Sequence, residues 1–62
     1  MPEVYIHAIE GRSVEQKREL AREVTDAVAR IFKAAPESVM VDFVDIPKHN
    51  KAKGGVLFSD RS

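Results

Sequence analysis

A long amphipathic repeat lies between two short apolar runs, and that order leaves few folds open to the chain. Leu20, Val24, Ala27, Val28, Ile31 and Phe32 recur at three- and four-residue steps, and Ala21 widens the stripe. Lys17, Arg18, Arg22, Asp26 and Arg30 fill the opposite, wet face. A capping box opens the repeat, with Ser13 as N-cap and Gln16 three residues on. Glu15 and Glu19 stand in or near the first turn, where the helix dipole favours acids. The pattern predicts one helix from just after Ser13 to Lys33.

The flanking runs read as strands. Residues 3–9 alternate, with Val4, Ile6 and Ala8 on one face and Tyr5, His7 and Ile9 on the other. Residues 39–46 are largely apolar and are closed by Pro47. Between the elements, Glu10-Gly11-Arg12 breaks the first strand and a Pro36-centred turn over residues 34–38 ends the helix. About 20 helical residues at 1.5 Å rise span roughly 30 Å, close to the length of an eight-residue strand. The helix therefore carries the chain back along a sheet, giving parallel strands joined by a right-handed crossover. The expected fold class is α/β in the broad α+β sense: a single βαβ unit in one domain, residues 1–62. A short apolar run, Val56-Leu57-Phe58, predicts a small C-terminal strand or hairpin arm, with residues 59–62 as a polar tail.

Size then raises a difficulty. A 6.9 kDa chain exposes about 10,000 Å² unfolded and about 4,000 Å² as a compact monomer. Burial of the apolar part contributes roughly 85 kcal/mol at about 25 cal/mol per Å². Ordering costs about 90 kcal/mol at roughly 1.5 kcal/mol per residue. The two nearly cancel, and with no cysteine there is no disulfide to tip the balance. Oligomerisation is the remaining source of stability, and an obligate oligomer is expected.

Ten Lys+Arg against ten Asp+Glu argue against nucleic acid as the main partner, since phosphate binding calls for a basic excess. No apolar run reaches membrane-spanning length and no signal-peptide pattern opens the chain, so no membrane partner and a cytoplasmic location are expected. His7 and His49 offer no recognisable ligand spacing, and no metal site is expected. His7 reads as a structural or interface residue. Asp42 and Asp45 are three apart in a strand and point to opposite faces, so they are not a carboxylate pair. Asp42 reads as an interface or edge residue. The stretch from Lys48 to Gly55 reads as a basic loop ending in a Gly pair. It lacks the Lys-Ser/Thr ending and following helix of a phosphate loop, though its lysines suit an acidic substrate.

The strongest chemical signal is Met1-Pro2, directly before the first strand. Removal of Met1 leaves Pro2 as a terminal secondary amine. Such an amine serves as a general base once cations and an apolar setting pull its pKa toward neutrality.

Pro2 opening a strand, Ile6-His7, Glu10-Gly11-Arg12-Ser13 and Glu15-Gln16-Lys17 at the helix start together resemble the 4-oxalocrotonate tautomerase family. Arg22-Glu23-Val24, the Pro-containing turn, Ser38-Val39 and the late Gly54-Gly55 extend the likeness over nearly the whole chain. The resemblance implies a tautomerase-type protomer with a short C-terminal hairpin, dimerising into a four-stranded sheet and assembled as a homohexamer, a trimer of dimers. It implies a cofactor-free isomerase in which Pro2, after loss of Met1, moves a proton in an unsaturated 2-oxo acid. Aromatic-compound breakdown or a biosynthetic pathway would be its setting. Arg12 sits where the family places a functional arginine, and a guanidinium grips a carboxylate by two parallel bonds. Two positions depart from the pattern. The family's second arginine is Met40 here, and the aromatic before the Gly pair is Lys51. Lys51 is thus a candidate replacement cation for substrate binding, in a wetter pocket. The alternative is a non-catalytic or partner-dependent subunit of a hetero-oligomeric tautomerase.

Overall fold

The computed structural model describes residues 1–61. β1 (Glu3–Ile9) is followed by α1 (Val14–Phe32), a 3₁₀ turn at Pro36–Ser38, β2 (Met40–Ile46) and a second 3₁₀ turn at Lys48–Asn50. β3 (Ala52–Lys53), β4 (Val56–Leu57) and a last 3₁₀ turn at Phe58–Asp60 complete the chain. β1 and β2 pair in parallel from Glu3↔Met40 to Ile9↔Ile46, while β3 and β4 form a separate antiparallel ribbon. This is the expected βαβ unit with its C-terminal hairpin.

The helix begins where its capping box places it. The Gln16 N–H donates to Ser13 Oγ at 3.1 Å, and the Ser13 N–H donates to Gln16 Oε1 at 2.9 Å. It ends at Lys33, which takes the left-handed conformation (φ 57°, ψ 44°) that glycine adopts more cheaply. β2 starts one residue later than its apolar run, because the Val39 N–H closes the Pro36 turn by donating to the Pro36 carbonyl at 3.1 Å.

The basic stretch before the glycines is not all loop. Its Ala52–Lys53 portion is a strand arm, paired as Ala52↔Leu57 and Lys53↔Val56. Gly54 and Gly55 have φ of 60° and 83°, the two positive values that a tight two-residue hairpin turn requires.

Helix and sheet form two layers, but no residue among those described is fully buried. Val4, Ile6 and Ala8 of β1 and Val41 and Phe43 of β2 are half-buried, as are Val24, Ala27 and Val28 of α1. Two strands are too narrow to cover the helix's whole apolar stripe. Ile31 stays 65% exposed and Phe32 70% exposed. Lys17 corrects the expectation of a wet-face residue: it turns toward the sheet, and its Nζ meets Asp45 Oδ2 at 2.6 Å. On the sheet's other face Tyr5, His7, Met40, Asp42 and Val44 are exposed. The protomer's surface of 4928 Å² exceeds the roughly 4,000 Å² of a compact chain of this mass. Its radius of gyration, 14.8 Å, likewise exceeds the roughly 10.6 Å expected for this length.

Candidate active site

Pro2 stands at the head of β1. Its carbonyl accepts the Met40 N–H at 2.9 Å, so Pro2 and Met40 lie side by side at the N-terminal edge of the sheet. Pro2 is half-buried, whereas Met1 is 84% exposed. Losing Met1 therefore removes little packing and leaves the Pro2 nitrogen facing the space that Met1 occupied.

Arg12 lies at the opposite end. β1 runs for seven residues between the two, roughly 23 Å of strand. Past Ile9, the Glu10 N–H donates to the Ile46 carbonyl at 3.0 Å, and Arg12 Nη1 donates to the Ile9 carbonyl at 3.2 Å. Arg12 borders a cavity of about 260 Å³ between α1 and the sheet, floored by Ile6, Ala8, Leu20 and Phe43. Lys17 and Asp45 neutralise one another at the rim. Among the described residues no carboxylate lies within ion-pairing distance of Arg12. It is a positive charge beside an apolar hollow, suited to hold a carboxylate. No arginine side chain spans the length of β1, so Pro2 and Arg12 of one protomer cannot act on the same small molecule.

Lys51 follows the turn that leaves the C-terminal end of β2. Its carbonyl accepts the Phe58 N–H at 2.8 Å, and its Nζ lies 6.0 Å from the centroid of the Phe58 ring. Arg61 folds back to the same ring, with Cζ at 5.2 Å, and its Nη2 donates to the Lys53 carbonyl at 2.9 Å. An aromatic ring thus stands beside Lys51 after all, supplied from across the hairpin. Sequence reasoning left Arg61 in the polar tail. The usable signal was the Gly54-Gly55 turn, which places Phe58 opposite Lys51; nothing in the spacing alone marks Arg61. Ser62 lies outside the described residues.

Away from these groups, the Tyr5 hydroxyl donates to Glu3 Oε1 at 2.9 Å. That bond, then the negative charges of Glu3 and of Asp42 on the paired position of β2, raise the Tyr5 pKa above its ordinary value. No group of three or more His, Cys, Asp or Glu side chains that could hold a metal occurs among the described residues.

The sequence profile of the family described as "Tautomerase enzyme" matches residues 2–61. A probable tautomerase of Streptococcus agalactiae is 56% identical over 48 residues, covering 77% of this chain and 80% of that protein. The crystal structure of a 4-oxalocrotonate tautomerase homologue superposes with a TM-score of 0.95 at 37% identity, covering 100% of this chain and 98% of the other. A heterohexameric 4-oxalocrotonate tautomerase from Chloroflexus aurantiacus J-10-fl superposes with a TM-score of 0.89 at 33% identity, covering 97% of each chain.

Proposed function

This chain belongs to the tautomerase family, and from that premise we propose that it is a cofactor-free isomerase converting the enol of an unsaturated 2-oxo acid to its keto form. Membership supports a tautomerase activity; the choice of base and substrate class is our own. The observation that carries the choice is the placement of Pro2, half-buried at the head of β1 next to an exposed Met1. Freed of Met1, the Pro2 amine takes the proton from the enol hydroxyl as the carbonyl forms, then returns a proton to carbon further along the conjugated system. Neither step needs a metal or an oxidant. Arg12 binds the carboxylate end by paired charge-assisted hydrogen bonds and stabilises negative charge that builds up there. Because Pro2 and Arg12 sit at opposite ends of one protomer, a working site takes them from different protomers. A homohexamer built as a trimer of dimers provides such junctions, and the exposed apolar side chains supply surface for it.

A second reading is favoured by Met40. It is the residue paired with Pro2's edge of the sheet, and it brings no charge there. On that reading the chain is one subunit of a hetero-oligomer, as in the heterohexameric relative, and a different chain supplies the missing cation.

The test is ketonisation of phenylenolpyruvate across pH, with loss of Met1 verified by intact mass. The expected result is a rate well above buffer that rises through a near-neutral pKa and is mostly lost in Pro2→Ala that is still processed. An unchanged rate in that variant refutes Pro2 as the base. No rate from correctly processed wild type refutes the homomeric enzyme and favours the partner-dependent subunit.

A further inference from the structure

The C-terminal hairpin gathers two cations that the helix and sheet do not use. The Gly54-Gly55 turn fixes the register of β3 and β4, which sets Lys51 against Phe58. The 3₁₀ turn at Phe58–Asp60 then reverses the chain, and the Arg61 N–H donates to the Phe58 carbonyl at 3.3 Å. Ten residues apart in sequence, Lys51 and Arg61 come to one half-buried ring. Both lie within cation–π reach of it, at 6.0 and 5.2 Å from its centroid.

Among the described residues both cations are free of an acidic partner: the ion pairs are Lys17 with Asp45 and Arg18 with Glu15, and even neighbouring Asp60 is out of range. Arg61 is also held in place. One N–H is committed to the Lys53 carbonyl and the Phe58 ring lies beside the guanidinium. Its other N–H groups remain for a ligand, and less rotamer freedom is lost when they are used. A held guanidinium and an ammonium on a flexible stem, both within reach of one aromatic ring, match a carboxylate attached to a planar, conjugated carbon skeleton.

We propose that Lys51 and Arg61 form a carboxylate clamp on the hairpin, with Phe58 as its wall, and that Arg61 is a substrate-positioning residue of this enzyme. The identity of the ligand rests on the tautomerase reading above; the existence of the clamp does not. The hairpin departs from the end of β2 farthest from Pro2, so the clamp serves the Pro2 of a neighbouring protomer.

The experiment is calorimetric titration of the intact, processed protein with fumarate, a planar conjugated carboxylate. Wild type, Arg61→Gln and Lys51→Gln are compared, with sedimentation to follow assembly. The expected result is measurable binding, weakened about tenfold or more in Arg61→Gln by loss of a charge-assisted hydrogen bond, with native assembly kept. Arg61→Lys is expected to restore only part of it, since an ammonium lacks the rigid planar pair of donors that a guanidinium presents. No binding by wild type, or equal binding by Arg61→Gln, overturns the clamp. A loss of binding that coincides with a loss of assembly also overturns it, assigning Arg61 to contacts between protomers. Titration needs no turnover, so a protein that binds fumarate through Arg61 yet fails to ketonise phenylenolpyruvate refutes the functional reading and leaves the clamp standing.

Discussion

Dilution is the perturbation to which this fold is most exposed. The protomer shows 4928 Å² where about 4,000 Å² suffices for its mass, an excess of about 900 Å². A standard stable interface takes about 800 Å² from each partner, so the excess is what one protomer would give to its neighbours. Phe32, Ile31 and Tyr5, each at least 60% exposed, are the side chains that lose most if it is not covered. When folding and assembly are one step, each tenfold dilution costs a hexamer about 1.1 kcal/mol per protomer, five association terms of about 1.4 kcal/mol shared among six chains. A dimer loses about 0.7 kcal/mol and a stable monomer nothing. For a domain of this size, 1.1 kcal/mol corresponds to roughly 4–9 °C in Tm. Thermal unfolding followed by circular dichroism at about 100, 10 and 1 µM, with sedimentation at each concentration, reads this slope directly. A Tm independent of concentration, with a folded monomer in the centrifuge, refutes the dependence on partners.

Three further outcomes are expected. Ser13→Ala removes one half of the capping box and should cost about 1 kcal/mol in urea unfolding; because Arg12 adjoins the cap, it should also raise KM more than it lowers kcat. Lys33→Gly relieves a left-handed backbone at a non-glycine residue and should stabilise by up to about 1 kcal/mol in the same assay. The folded Tyr5 pKa is raised above the ordinary 10.0, so the neutral phenol's contribution is complete below that pH and is lost as pH climbs through the folded value. A spectrophotometric titration should show the Tyr5 phenolate forming later than a free tyrosine's, and Tyr5→Phe should flatten the alkaline loss of stability.

The parts of the fold legible in the sequence are those written locally. Ser13 and Gln16 announce their helix because both capping bonds close within one turn, and the alternation of residues 3–9 announces β1. The parts that were not legible depend on partners distant in sequence. Lys17 looks like a solvent-facing lysine by helical position and becomes a sheet-facing one only because Asp45 lies within 2.6 Å. The Ala52–Lys53 arm has no alternation of its own and is a strand because the Gly pair folds Val56 and Leu57 against it. Arg61 is the extreme case, since its position follows from the hairpin, the last turn and a carbonyl eight residues away acting together.

The incomplete core and the separation of the proposed site residues have one physical origin. A single βαβ unit has a helix too long and too apolar for two strands to cover, which leaves Ile31 and Phe32 in water. The parallel pairing that makes the unit also sends the two strands' N-terminal ends one way and their C-terminal ends the other, which separates Pro2 from Arg12 by the length of β1. On the proposed reading, covering the apolar surface and bringing the Pro2 base to a guanidinium are then met by the same act of association. A substitution that loosens the assembly should therefore lower activity and Tm together. One that touches only the chemistry, such as Pro2→Ala, should lower activity with the dependence of Tm on concentration left as it was.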